Sequence, residues 1–132
     1  MTGIILITHG RLGRELINAA EFILGKIEQV ECISIEPNLE PERLHQSLTQ
    51  ALKRLQSDAG VLILTDMFGG TPNNISLAFH QEGKVEVVTG VNLPMVIKTV
   101  TDRKSKSLTE LAGVVGAAGR DSISVAGEIL SS

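Results

Sequence analysis

Apolar residues fall along this chain in two alternating rhythms. Short β-rich runs cover Ile4–Thr8, Val30–Ile35, Val61–Thr65 and Val85–Thr89. The first and third read IILIT and VLILT, continuous rather than alternating. That pattern suits parallel strands covered on both faces. Between the runs the period lengthens to that of helices. Leu12, Leu16, Ile17, Ala20, Ile23 and Leu24 form one apolar stripe, and Gly25 follows as a stop. A second helix opens near Glu40-Pro41, with Leu44, Leu48, Leu52 and Leu55 as its buried stripe. The third starts at Thr71-Pro72, a capping hydroxyl and then proline, and the fourth repeats the device with Asn92, Leu93 and Pro94. Leu108, Leu111, Ala112, Val115 and Ala118 mark the fifth, and Ser122–Val125 is a last short β-like run. The charged stretch Asp102–Lys106 reads as a solvated loop.

The β-α-β-α order predicts an α/β fold. Its sheet is doubly wound and mainly parallel, of order 2-1-3-4, with right-handed crossovers and helices on both faces. Ser122–Val125 would add a short C-terminal strand. With 132 residues and no linker, repeat or low-complexity tract, residues 1–132 are expected to form one domain.

In such a sheet, ligands gather beyond the carboxyl ends of the strands, where the strand order reverses. Strand one runs into His9-Gly10, and strand three into DMFGGTPNN, Asp66 to Asn74. If strands one and three are neighbours, roughly 4.8 Å apart, His9 and Asp66 can hydrogen-bond although they are 57 residues apart in sequence. A carboxylate that takes the proton of one ring nitrogen leaves the other nitrogen's lone pair facing outward, as a nucleophile, base or metal ligand. Gly69, Gly70 and Thr71 lead into a helix N-terminus, where free N–H groups, a hydroxyl and the helix dipole favour an anion. Phosphoryl transfer needs an in-line nucleophile and fixed donors for the equatorial oxygens, so the reading is a histidine that is itself phosphorylated. Each feature alone has a plainer explanation: a loop histidine, a turn-forming aspartate, a tight turn before a helix. Their convergence carries the reading. His45, on the second helix, and His80, near the end of the third, are given no chemical role.

Composition removes other classes. Net charge is −3 and there are three Phe, no Tyr and no Trp, a poor footprint for nucleic acid. The single Cys32 excludes an internal disulfide and a thiolate metal cluster, and it sits in an apolar stretch as a packed small residue. No metal is expected, since only one histidine and one carboxylate converge. No cofactor motif is present: "HGRLG" lacks the glycines of a dinucleotide fingerprint, and there is no P-loop lysine. No apolar run approaches membrane-spanning length and no leader opens the chain, so a cytoplasmic location is expected. Met67 and Phe68 would lie beside His9, either packed under the loop or forming a small docking patch with Arg11 and Arg14.

Three motifs, THG at 8–10, DMFGGTPNN at 66–74 and GVNLPM at 90–95, occur in one order and spacing. On them the chain resembles, over essentially its whole length, enzyme IIA of the mannose-type (mannose–fructose–sorbose) phosphotransferase system. The resemblance implies a phosphotransferase whose phosphorylated histidine is His9. It would be charged by the phosphocarrier HPr and discharged to an enzyme IIB. Asp66 would orient it, and Thr71 would lie near the phosphoryl oxygens. The resemblance also implies a homodimer, with Ser122–Val125 matching a strand that crosses to the partner subunit, and contact with a membrane only through a permease complex. A chain without a fused IIB domain could serve sugar uptake, or act as a regulatory IIA whose phosphorylation state controls a partner protein.

Overall fold

In the computed structural model, residues 1–55, 57–67 and 71–131 are described, with only the backbone of Thr71, Pro72 and Asn73. Four strands, β1 (Gly3–His9), β2 (Val30–Ile35), β3 (Val61–Thr65) and β4 (Val85–Thr89), form a parallel sheet in the order β2-β1-β3-β4. The helices are α1 (Leu12–Leu24), α2 (Pro41–Leu55), α3 (Thr71–Ala78), α4 (Leu93–Asp102), α5 (Leu108–Asp121) and α6 (Ala126–Leu130). Five of them fall where the apolar periodicity places them.

The pleat explains why β1 and β3 read as unbroken apolar runs. Alternate residues of one strand point to opposite faces. Ile4, Leu6, Leu62 and Leu64 join one core with Ile17 and Ala20 of α1, Val96 of α4, and Leu111 and Val115 of α5. Ile5, Ile7, Val61 and Ile63 join a second core with Leu44, Leu48, Ala51 and Leu55 of α2. The central strands are thus buried on both sides, whereas the edge strands β2 and β4 are half-buried. A truncation such as Leu6→Ala would cost roughly 2–5 kcal/mol. Cys32 is half-buried against the first core, and burial is the leading cause that raises its thiol pKa. That supports the packed-residue reading.

Packing revises two expectations, the buried stripe of α1 and the place of Arg103. The buried stripe of α1 is Gly13, Ile17 and Ala20 with Leu16 beside it, while Leu12, Ile23 and Leu24 lie outside. Gly13 sits where a Cβ would come within 3.2 Å of the Leu6 Cβ, so the helix turns its smallest residue to the strand. Ser122–Val125 adds no strand to this sheet: α5 runs through Asp121, and Ile123 and Val125 are exposed before the short α6. The expected strand is one exchanged with a partner subunit, which a single chain does not form. Lastly, Arg103 is not part of a solvated loop. It is 4% exposed, and its guanidinium donates to the carbonyls of Thr2 and Gln29 at 3.4 Å and of Glu28 at 2.7 Å.

The topology also fixes where chemistry can sit. From β1 the chain crosses through α1 to one side, and from β2 it returns through α2 to the other. The reversal falls between β1 and β3, at their carboxyl ends.

Candidate functional site

His9 is the last residue of β1, and Asp66 follows β3 directly. The register pairs Ile7 with Thr65, which brings the two extensions side by side. The Asp66 carboxylate accepts two different groups of His9. Its Oδ2 takes the backbone N–H at 2.9 Å, and its two oxygens lie 3.2 and 3.1 Å from the ring Nδ1. The main-chain bond sets the carboxylate, and the carboxylate sets the ring. With Nδ1 as donor, Nε2 carries the free lone pair. The His9 side chain is 55% exposed and that of Asp66 11%. The ring is therefore open to solvent while the carboxylate that holds it is shielded.

The turn after His9 is built tightly. Gly10 adopts φ +56, the left-handed region that favours glycine. Its N–H donates to the Ile35 carbonyl at 2.9 Å, which ties the turn to β2. The buried Thr8 hydroxyl accepts the Gly13 N–H at 2.6 Å. Arg11, at the N-cap of α1, makes no capping side-chain bond. It reaches instead to Glu15 at 3.5 Å on the exposed surface, a contact of little energetic weight.

The other expected residues divide. Thr71 opens α3, on the chain segment that follows Asp66. Phe68, Gly69 and Gly70, which sequence reasoning places in the anion cradle and docking patch, lie outside the described residues. Met67 is 63% exposed, which favours its reading as surface over packing. Arg11 and Arg14 are both exposed on the first turn of α1. His45 is exposed, with its ring 4.8 Å from that of Phe79. His80 pairs with Glu86 of β4 at 3.3 Å. Neither lies with His9. Among the described residues no group of three His, Cys, Asp or Glu side chains could hold a metal ion, and no helix is long and apolar enough to cross a membrane.

Sequence reasoning gave Asn92 the cap of the fourth helix and a place in GVNLPM, and nothing more. Its Oδ1 accepts the Met95 N–H at 3.1 Å, which caps α4. Its Nδ2 donates to the Gly119 carbonyl at 3.2 Å, so the motif joins the start of α4 to the end of α5. The asparagine ahead of Leu-Pro signalled the cap, but nothing local signals the second bond.

A hollow of about 470 Å³, bounded by Met1, Gln29, Leu55, Ser57, Asp58 and Ala59, lies at the opposite end of the sheet. It is remote from His9 and is irrelevant to the chemistry there. An exposed imidazole on an open surface suits a macromolecular reaction partner better than a small enclosed substrate.

A family model described as "PTS system fructose IIA component" matches residues 3–115. The mannose-specific EIIAB component of the phosphotransferase system of Escherichia coli K12 is 34% identical over 122 residues. The match takes in 91% of this chain and 38% of that protein, so the chain spans well under half of that relative's length. The fructose-specific EIIA component of Bacillus subtilis is 28% identical, over 98% of this chain and 90% of that one. A crystal structure of a phosphotransferase system EIIA component from Streptococcus agalactiae superposes with a TM-score of 0.87 at 26% identity, over 97% and 99% of the two chains. The chain belongs to the EIIA family of sugar phosphotransferase system components, in its mannose–fructose–sorbose branch.

Proposed function

We propose that this protein is a phosphohistidine carrier: His9 Nε2 accepts a phosphoryl group from phosphorylated HPr and passes it to an enzyme IIB. The observation that carries this reading is the His9–Asp66 pair, with Nδ1 held at 3.1 Å and the ring open to solvent. In the forward step the Nε2 lone pair forms a bond to phosphorus. The phosphorus–nitrogen bond of the donor breaks, and its electron pair returns to the donor ring. His9 gains positive charge as the new bond forms, and Asp66, beside the Nδ1 proton, stabilises it. The developing charge on the phosphoryl oxygens would meet the N-terminus of α3 at Thr71, with Gly69 and Gly70 before it. The second transfer is the same step in reverse, with a IIB side chain as the acceptor. No cofactor is needed. Arg11, Met67 and Phe68 would form part of the surface on which HPr and IIB dock in turn.

Incubation with phosphoenolpyruvate, enzyme I and HPr, followed by intact-mass measurement, tests the reading. One phosphoryl mass should appear, stable in alkali and lost in mild acid. A protein that stays unlabelled, or labelling on His45 or His80, refutes it. We also propose a homodimer in which residues 122–125 leave their own subunit. The exposed apolar Ile123 and Val125, and the position of β4 at the edge of the sheet, bridged on its outer side by Gln81 at Val85, support that assembly. Deleting residues 121–132 should turn a dimer into a monomer in sedimentation. A full-length monomer at micromolar concentration would overturn it.

A further inference from the structure

We propose that Thr8 is a positioning residue for His9, acting through the amide of Gly13. The inference rests on the carrier reading for its effect on rate, and on geometry alone for its effect on the ring. α1 begins three residues after His9, yet its own N-cap residue, Arg11, supplies no side-chain cap. The cap comes from Thr8, whose buried hydroxyl takes the Gly13 N–H at 2.6 Å. The bond spans the turn and closes residues 8–13 into a ring, with His9 and Gly10 at its outer side.

Two further bonds leave this ring in different directions. The His9 N–H goes to Asp66 beyond β3, and the Gly10 N–H goes to Ile35 at the end of β2. The histidine backbone is thus held from both neighbouring strands and, through Thr8, from the following helix. Gly13 belongs to the same device. A Cβ there would stand 3.0 Å from the Thr8 Oγ1 and 3.3 Å from its Cγ2, tight enough to push the hydroxyl aside. Thr8 therefore does more than start a helix. Its bond fixes the path of the chain on either side of His9, and so the direction in which the ring reaches Asp66. Misplacement of a reacting group by about 1 Å can cost on the order of 10² in rate.

Thr8→Val keeps the shape and removes the acceptor, Thr8→Ser keeps the acceptor, and Gly13→Ala disturbs the same bond from the helix side. Each full-length variant is compared with wild type by thermal unfolding and by rapid-quench phosphorylation from phosphorylated HPr. The His9 tautomer is read from ring ¹⁵N shifts well below the unfolding temperature. At saturating donor, Thr8→Val and Gly13→Ala should accept phosphoryl roughly tenfold more slowly, with a smaller change in the half-saturating concentration. Thr8→Ser should restore the rate. The Nδ1–H tautomer should dominate in wild type and Thr8→Ser, and give way to a mixture in the other two. A residue that only caps the helix would lower the unfolding temperature and leave rate and tautomer at wild-type values, and that result overturns the proposal. If wild type takes up no phosphoryl group, the carrier reading fails, and the tautomer comparison still decides the role of Thr8. Equal tautomers in wild type and both disruptive variants would refute it.

Discussion

At the carboxyl end of the sheet, His9 leaves 55% of its side chain open to solvent and is held on one side by Asp66. At the amino end, Arg103 is 4% exposed and is spent on the carbonyls of Thr2, Glu28 and Gln29. Both are ionisable side chains that bridge segments distant in sequence. They differ in what remains available. Among the described residues, the hydrogen bonds of the His9 ring are all at Nδ1, which leaves Nε2 available. The Arg103 guanidinium faces inward and holds the starts of β1 and β2 together across the end of α4. Burial lowers its pKa below the ordinary guanidinium value, with the charge of Glu28 opposing. A sheet of this kind separates its tasks by end: bonds that close the fold collect where the strands begin, and a partly satisfied group sits where they finish.

Substitutions at the two ends should therefore fail in different ways. The largest effect is expected from His9→Ala, which should abolish phosphoryl uptake while leaving the unfolding midpoint close to wild type, since the side chain is exposed. Measuring both on one preparation tests the separation. A large fall in stability would show that His9 also closes the fold.

Asp66→Asn should come next. An amide matches the carboxylate's shape, but its NH₂ can donate to Nδ1 and favour the wrong tautomer. In the serine-protease triad, the worked case of this principle, such a swap costs about 10⁴. Here the donor is already activated, so the expected loss is on the order of 10–10³ in the rate of phosphoryl acceptance. Rapid-quench kinetics decide it, and a wild-type rate would reduce Asp66 to a turn residue.

Arg103→Met should show the reverse pattern. It keeps bulk but takes the guanidinium from the carbonyls of Thr2 and Glu28, while that of Gln29 keeps the Ile4 N–H. The expected cost is about 2–4 kcal/mol in denaturant unfolding, with the phosphorylation rate unchanged where the protein is folded. A slowed rate would mean that the two ends are coupled.

The sequence made the two ends unequally legible. IILIT and VLILT are unbroken apolar runs, and only a sheet covered on both faces absorbs two of them as neighbours. That adjacency put Asp66 beside His9 before any coordinates. Arg103 gave no such signal. It lies among Asp102, Lys104 and Lys106, and one arginine in a charged stretch looks solvated until the turn after α4 brings it over Glu28, more than seventy residues earlier in the chain. Ser122–Val125 is a different case: β propensity records a residue's fitness for a sheet, and a run expected to cross to a partner subunit leaves no mark on the sheet of its own. The bond from Thr8 to Gly13 was also invisible, because a threonine that ends a strand looks the same whether its hydroxyl caps the next helix or not.

The smallest expected effect also belongs to the amino end, where α5 starts. Ser107 and Glu110 form a capping box: the Ser107 hydroxyl accepts the Glu110 N–H at 3.2 Å, and the Glu110 carboxylate accepts the Ser107 N–H at 3.2 Å. Ser107→Ala should cost about 1 kcal/mol. Bonding to the Ser107 side chain, and then to its backbone, holds the Glu110 carboxyl below its ordinary 4.5. A carboxyl whose folded pKa is depressed contributes stability that is fully present above the unfolded value and lost as pH falls through the folded one. The contribution of Glu110 should therefore be constant above pH 4.5 and fade below it. Glu110→Gln keeps an oxygen to accept the Ser107 N–H but cannot titrate, so it should remove that part of the acid slope. Asp102 supplies a second part. Burial raises its pKa, yet the bonds from Thr101 and Lys98, with the charges of Lys98 and Lys106, outweigh it and leave the carboxyl lowered overall. Some acid sensitivity should thus survive in Glu110→Gln. Urea unfolding of both proteins from about pH 6 to about pH 3 checks this. The curves should run parallel above pH 4.5 and converge below it, as wild type loses what the variant never had. Curves that stay parallel throughout would show that the box holds Glu110 equally well with or without its charge. The amino end would then be closed by the shape of its hydrogen bonds rather than by their electrostatics.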